Sequence, residues 1–337
     1  MLPLHWKTAL AAALCVAASS QPGLAQVPSP TILEVDLDNK VQYHEDASFD
    51  PSKFATVGGA TTVIRALNFG KFVSIADIVA VNGQPAKGIA VYNTRVVTLR
   101  AAPANPGEGI ADTDRNGVID QMFEILTSDG VAVGTILSSG LAAGAAPPGS
   151  PQEVVQGNLA ILGGTGAFFG ARGSVGQGPT AVADRIASMT EDPGSRRKNG
   201  GGKVRIVVRL IPLSQPQIVT AATGPAIFHS DFTPVTAARP AKSGEVLIVT
   251  ATGLGPTVPG VNSGQPFPSN AILQVNSPLA VTVNGKPAEV INGIGWPGQV
   301  DTYRVDFRVP DGIVPGMASV QLTAAWITGS AVGIPVQ

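Results

Sequence analysis

Residues 157–173 read G-N-L-A-I-L-G-G-T-G-A-F-F-G-A-R-G. Two short apolar runs, one ending at Leu162 and one beginning at Ala167, flank Gly163-Gly164-Thr165-Gly166. Glycine takes positive φ without steric penalty, so the cluster predicts two antiparallel strands joined by a tight turn. The second run places Phe168, Gly170 and Arg172 on one strand face and Phe169, Ala171 and Gly173 on the other. Glycines inside a strand mark bends, as at the corner of a barrel. The hairpin therefore predicts a curved, closed antiparallel sheet.

The surrounding sequence agrees with that texture. Ile32 to Asp38 alternates apolar and acidic residues from Leu33 on, the pattern of a half-buried strand. Val63-Ile64 and Phe72 to Val81 are strand candidates. The latter sets Val73, Ile75, Val79 and Val81 on one face, interrupted by Asp77, and runs into the hairpin signal Asn82-Gly83. Ile89 to Val91, Arg95 to Leu99 and Val204 to Ile211 follow as strands, the last with Arg205 and Arg209 on its polar face. Thr180 to Met189 is the one weak helical candidate before Pro212. Charged residues make up 13% of the chain, below the typical quarter, while Gly (40) and Pro (28) are abundant. Few charges and many turn-formers predict an all-β protein.

The run Gly163 to Phe168, followed by Ala171-Arg172-Gly173, resembles the GGTG-x-F-x-x-ARG hairpin of dirigent proteins and their allene oxide cyclase-like relatives. The match is nearly complete from Gly163 to Gly173; over roughly residues 30–212 it is one of pattern only. The resemblance implies an eight-stranded antiparallel barrel with an apolar interior. In that family some members bind small hydrophobic molecules, and some guide cyclisation or radical coupling inside the barrel.

Met1 to Ala25 reads as a secretory leader. Lys7 supplies the positive charge, Thr8 to Ala18 the apolar stretch, and Gly23-Leu24-Ala25 a small-residue cleavage site. The apolar run is too short to span a bilayer. Cys15 raises a lipoprotein alternative, opposed by the bulk of Leu14 before it. Cleavage near Ala25 predicts a secreted, extracellular or periplasmic protein with no transmembrane span. The only cysteine leaves with the leader, so disulfides, thiolate catalysis and thiolate metal sites are excluded from the mature chain. Lys7 is the leader's only charge, which leaves 21 basic residues against 23 acidic ones. That balance offers no electrostatic footprint for nucleic acid.

Ala111 to Glu124 carries a second pattern. Asp112, Asp114, Asn116, Gly117, Val118 and Asp120 reproduce positions 1, 3, 5, 6, 7 and 9 of a calcium loop. Alternate side chains converge on one point, the glycine permits the sharp turn, and Val118 offers a carbonyl. Phe123 stands where the bidentate acid belongs, with Glu124 one residue later. The reading is a weak, structural Ca²⁺ site of about 10⁻⁴–10⁻³ M, ahead of a plain solvated turn. No organic cofactor is predicted.

Beyond a linker at 213–225, residues 226–337 predict an immunoglobulin-like β-sandwich, preceded by a barrel over 26–212. Its strands are Glu245 to Ala251, Leu279 to Val283, Ala288 to Ile291, Thr302 to Val309 and Ala318 to Trp326, with a hairpin at Asn284-Gly285. Thr252 to Pro256, Val283 to Ala288, Trp296-Pro297-Gly298 and Val309-Pro310 with Gly316 resemble the C-terminal domain of many acidobacterial, Solibacter-type exported proteins. Tyr303-Arg304-Val305-Asp306 departs from that family's Tyr-Gln-Val-Asn. The resemblance implies an exported accessory module.

Catalytic signals are sparse. His44 and His229 fall in different halves, and no zinc spacing or G-x-S-x-G elbow occurs. His229-Ser230-Asp231 has triad residue types, but adjacent residues cannot form triad geometry. Arg196-Arg197-Lys198 reads as a solvated charge run on a glycine-rich loop. Arg172, sharing a face with Phe168, has two readings. One is a rim arginine, or one paired with Glu34 or Asp36; the other is an anchor for a ligand oxygen inside the barrel. The leading function is a non-enzymatic binding or surface-interaction protein, its partner a small hydrophobic ligand or a cell-surface component. The alternative is a dirigent- or cyclase-like isomerase or coupling protein acting on an apolar molecule.

Overall fold

The structure is a computed structural model that describes residues 30–44, 71–95, 117–142, 146–222 and 224–337. Eight antiparallel strands close into a barrel: β1 (Thr31–His44), β2 (Lys71–Val81), β3 (Lys87–Arg95), β4 (Gly117–Leu126), β5 (Ala132–Ala142), β6 (Gln156–Gly164), β7 (Arg172–Val182) and β8 (Gly202–Ile211). Each strand pairs with the next, and β8 returns to β1. This is an up-and-down meander, which leaves no free edge around the wall.

Alternation writes the inside and outside of the wall. On β1, Leu33, Val35 and Leu37 are buried, while Glu34 and Asp36 face outward and pair with Arg205 across the register. Asn82 (φ 50) and Gly83 (φ 72) make the two-residue turn after β2. The predicted faces of β2 are exchanged up to Ile78, after which a register shift returns Val81 to the barrel core. Ser74, Ala76 and Ile78 are the buried inward residues, and Ile75 packs outside against Val41, Tyr43 and Ala187. The odd-numbered face is apolar because the segment 185–199 covers the barrel there. In that segment Arg185–Ser188 pairs parallel with β1, so the weak helical signal at Thr180 to Met189 resolves as strand.

The glycine hairpin is built differently from a plain turn. A 3₁₀ turn over Gly166–Phe168 separates β6 from β7, and it folds inward so that Phe168 joins the barrel core. Glycine is needed at Gly166 (φ 59), where a side chain would strike the Val133 carbonyl.

The second sheet contains β9 (Val246–Thr252), β10 (Leu279–Val283), β11 (Lys286–Gly295), β12 (Tyr303–Arg308), β13 (Gly316–Ala324) and β14 (Val332–Val336). Strand β11 turns the corner between two layers. Its first residues pair with β10, and from Glu289 on it pairs with β12, with a register shift between Val290 and Asn292. The sheet so curls around Ile227, Leu247, Val249, Val305 and Phe307 facing Val281, Val320 and Leu322. Part of the expected linker belongs to this sheet, since Gln217–Ile218 pairs with the end of β9.

The two halves are joined by more than the chain. The turn after β13 places Ala325 (φ 48) and Trp326 (φ 61) in left-handed conformation, and both side chains sit in the barrel core. They close the end that carries the short turns after β2, β4 and β6. At the same end Asn276 donates from its side chain to the Ala132 carbonyl. His44, Lys71, Arg95 and Gly117 lie at the other end.

Candidate functional site

Strand register assembles a polar row inside the barrel toward that second end. Gln42, Ser74, Tyr92, Gln121 and Ser138 stand directly opposite one another across β1 to β5. One step toward the closed end the matching row is Ala76, Ala90, Phe123 and Ile136, all buried and apolar. One step the other way it is His44, Phe72, Thr94 and Ile119. Opposed residues on adjacent strands point to the same side, so an apolar floor lies beneath a polar belt.

Within the belt some groups are paired. Ser138 donates to Gln121 Oε1 at 3.0 Å. Asn39 (φ 53) forms a bulge that turns Lys40 inward. Lys40 Nζ lies 2.7 Å from Asp184 and 5.0 Å from the centre of the Tyr92 ring, and Gln42 donates to the same Asp184 oxygen at 2.9 Å. The buried cation is thus neutralised by a carboxylate and faces an aromatic ring.

One hydroxyl of the belt and one in the row beyond it are not paired among the described residues. Tyr92 Oη and Thr94 Oγ1, two residues apart on the same inward face of β3, are buried and have no hydrogen-bond partner among the described residues. The Tyr92 ring is held edge-on by Phe123 at 6.0 Å. Burial, and secondarily the charge of Asp184, push its phenol well above the usual tyrosine range, so it stays a neutral donor. His44 stacks on Phe72 at 4.8 Å, and burial lowers its pKa below the ordinary histidine value.

The predicted ligand pair is not brought together. Phe168 is in the core, but Arg172 is exposed and donates to the Leu162 carbonyl at 3.3 Å. The shared-face argument fails because the 3₁₀ turn breaks the strand between them. Glu34 and Asp36 are taken by Arg205 rather than Arg172. Of the calcium candidates, Asp112, Asp114 and Asn116 lie outside the described residues. Val118 and Asp120 are described, and they belong to β4, which starts at Gly117 rather than at Ile119. Asp120 accepts from Ser139 Oγ at 2.7 Å, with Arg95 4.0 Å away.

The basic run at 196–198 is not simply solvated. Arg196 is buried and pairs with Asp77 on the outer face of β2. Arg197 makes a bidentate contact to the same carboxylate at 2.9 and 2.7 Å, and Asn39 donates to it at 3.1 Å. Burial works to raise the Asp77 pKa, but the hydrogen bonds from Arg197, Asn39 and Arg196 outweigh it and hold the carboxyl below its ordinary 3.8. In the second sheet His229 is likewise structural, set between Glu245 at 2.6 Å and the Arg239 carbonyl at 3.2 Å.

Lys40, Tyr92, Thr94 and Asp184 escape sequence reasoning because none belongs to a motif; the register of β1, β2 and β3 and the parallel pairing of Arg185–Ser188 with β1 bring them together. Among the described residues, no helix is long and apolar enough to cross a membrane. Compared with known proteins, the chain matches no family model and no curated protein.

Proposed function

We propose that this is an exported, non-enzymatic binding protein whose barrel takes one small, neutral, largely apolar molecule by an oxygen directed at Tyr92 and Thr94. The observation that carries the reading is a pair of buried hydroxyls above an apolar floor, neither of which has a hydrogen-bond partner among the described residues. Leaving such a group unpaired costs about 1–3 kcal/mol, and a ligand oxygen would remove that cost. An eight-stranded barrel has an interior just wide enough for packed side chains or for one small ligand. Lys40 is already neutralised by Asp184, so a charged ligand would bring an uncompensated charge.

The same chemistry favours binding over turnover. A phenol whose pKa is raised is a donor and a poor base, which weighs against the isomerase or coupling alternative that the dirigent-like hairpin suggests. The secretory leader supports a location outside the cytoplasm. In this proposal calcium at Asp112, Asp114, Asn116, Val118 and Asp120 is structural; because Asp120 is already engaged by Ser139 and faces Arg95, its affinity is low. Isothermal titration with millimolar calcium tests that ion.

Native mass spectrometry of the secreted protein tests the main reading. A bound small molecule, lost from the Tyr92→Phe, Thr94→Val double variant with the fold intact by circular dichroism, is the expected result. A wild-type barrel that neither carries nor takes up any apolar alcohol or ketone would sink the proposal.

A further inference from the structure

The barrel and the second sheet meet along a cleft remote from the barrel interior. It has two contiguous lobes of about 350 and 1090 Å³, which share Phe169 and Leu213 on one wall and Gly253, Gly255 and Asp301 on the other. The larger lobe is at the upper end of the ~300–1,000 Å³ typical of a small-molecule site, so it has room for a ligand of more than one ring.

The walls are chemically specific. Phe169 is 69% exposed and Leu213 63% exposed, an aromatic and an aliphatic side chain left facing water. The backbone that carries Phe169 is fixed. Its N–H bonds to the Gly166 carbonyl at 3.2 Å, and the next residue, Gly170, lies against the Leu213 side chain. Asp301 is exposed, and its carboxylate makes no hydrogen bond among the described residues. It lies close enough to Tyr303 to add to the effect of burial, which together raise that phenol to about 12. Arg172 lines the larger lobe and spends one N–H on the Leu162 carbonyl. The cleft therefore offers one exposed ring, one carboxylate and one guanidinium fork, with their charges in balance.

A matching ligand has flat apolar faces, closely spaced hydroxyls and no net charge. Pyranose rings meet this description: their C–H faces stack on an aromatic ring, and neighbouring hydroxyls suit a carboxylate or a guanidinium fork. A peptide fits less well. The sheet edge at the cleft is the two-residue strand Gln217–Ile218, too short to pair with an added strand. We propose that this cleft binds a neutral oligosaccharide, with Phe169 stacked on a ring and Asp301 and Arg172 bonded to its hydroxyls.

The test is isothermal titration of the full chain with short neutral β-glucan, xylan and mannan oligosaccharides, set beside acidic glycans. Binding of at least one neutral glycan is expected, weakened roughly three- to tenfold by Phe169→Ala. Phe169→Trp should retain it, Asp301→Asn should weaken it, and Tyr92→Phe with Thr94→Val should leave it unchanged. Failure of every neutral glycan to bind, a preference for acidic glycans, or full binding by Phe169→Ala would overturn the assignment.

Discussion

Trp326 and Gln84 are 242 positions apart, and the indole N–H of Trp326 donates to Gln84 Oε1 at 3.2 Å. The contact fastens a turn of the second sheet into one end of the barrel. Trp326 is held there at φ 61, a conformation that a bulky residue rarely adopts.

Trp326→Ala is expected to cost about 3–5 kcal/mol, the usual penalty for emptying a buried tryptophan site. Trp326→Gly should cost no more despite the smaller side chain, because glycine recovers about 1–2 kcal/mol of left-handed strain. Urea unfolding of both variants checks this. A loss below about 1 kcal/mol for alanine would mean that the indole is not part of the core.

Asp77 and its two arginines should behave unequally. Asp77→Asn leaves the buried Arg196 uncompensated and is expected to cost about 3–5 kcal/mol. Arg197, with 64% of its side chain exposed, should cost under about 1 kcal/mol when replaced by alanine. Similar losses from Asp77→Asn and Arg197→Ala in denaturant melts would contradict this division.

The same carboxylate sets a pH dependence. The folded pKa of Asp77 is depressed, so the unfolded chain binds its proton first. Its contribution is complete above the ordinary value of 3.8 and fades as pH falls through the lower folded value. Acid titration of stability should therefore be steeper below pH 3.8 for the wild type than for Asp77→Asn. Parallel acid curves for the two proteins would refute the linkage.

Two glycines that look alike in sequence should respond differently. A Cβ at Gly164 would lie 2.5 Å from the carbonyl oxygens of Thr135 and Phe168, so Gly164→Ala forces backbone to move and should cost about 1–3 kcal/mol. Gly83 has nothing within 4 Å, and asparagine tolerates its positive φ. Gly83→Asn should thus stay within about 1 kcal/mol of wild type by thermal melt.

Removing the unpaired hydroxyls should stabilise the ligand-free barrel. Tyr92→Phe and Thr94→Val each delete a buried group with no partner, and each is expected to raise stability by up to about 1 kcal/mol. Destabilisation by both would show that the hydroxyls are satisfied in the empty protein.

Period-two alternation at Leu33, Val35 and Leu37, the Asn82-Gly83 and Asn284-Gly285 turns, and the glycine cluster at 163–166 are local signals. Each is set by side-chain direction or by φ preference within a few residues, and that is why an all-β barrel with a second β sheet was legible from them. The face of β2 was not, because Ile75 is partly covered by Val41, Tyr43 and the distant Ala187. Nor was the role of Arg196, whose carboxylate partner is 119 positions distant.

The amino-acid order by itself determined strands and turns, both consequences of short-range chemistry. Tertiary structure alone decided what meets inside and between those elements: Tyr92 and Thr94 in a belt above an apolar floor, Arg172 turned to the outside, Trp326 in the barrel's end. Closing a barrel makes partners of residues far apart in the chain, and the register that selects them depends on every bulge around the wall.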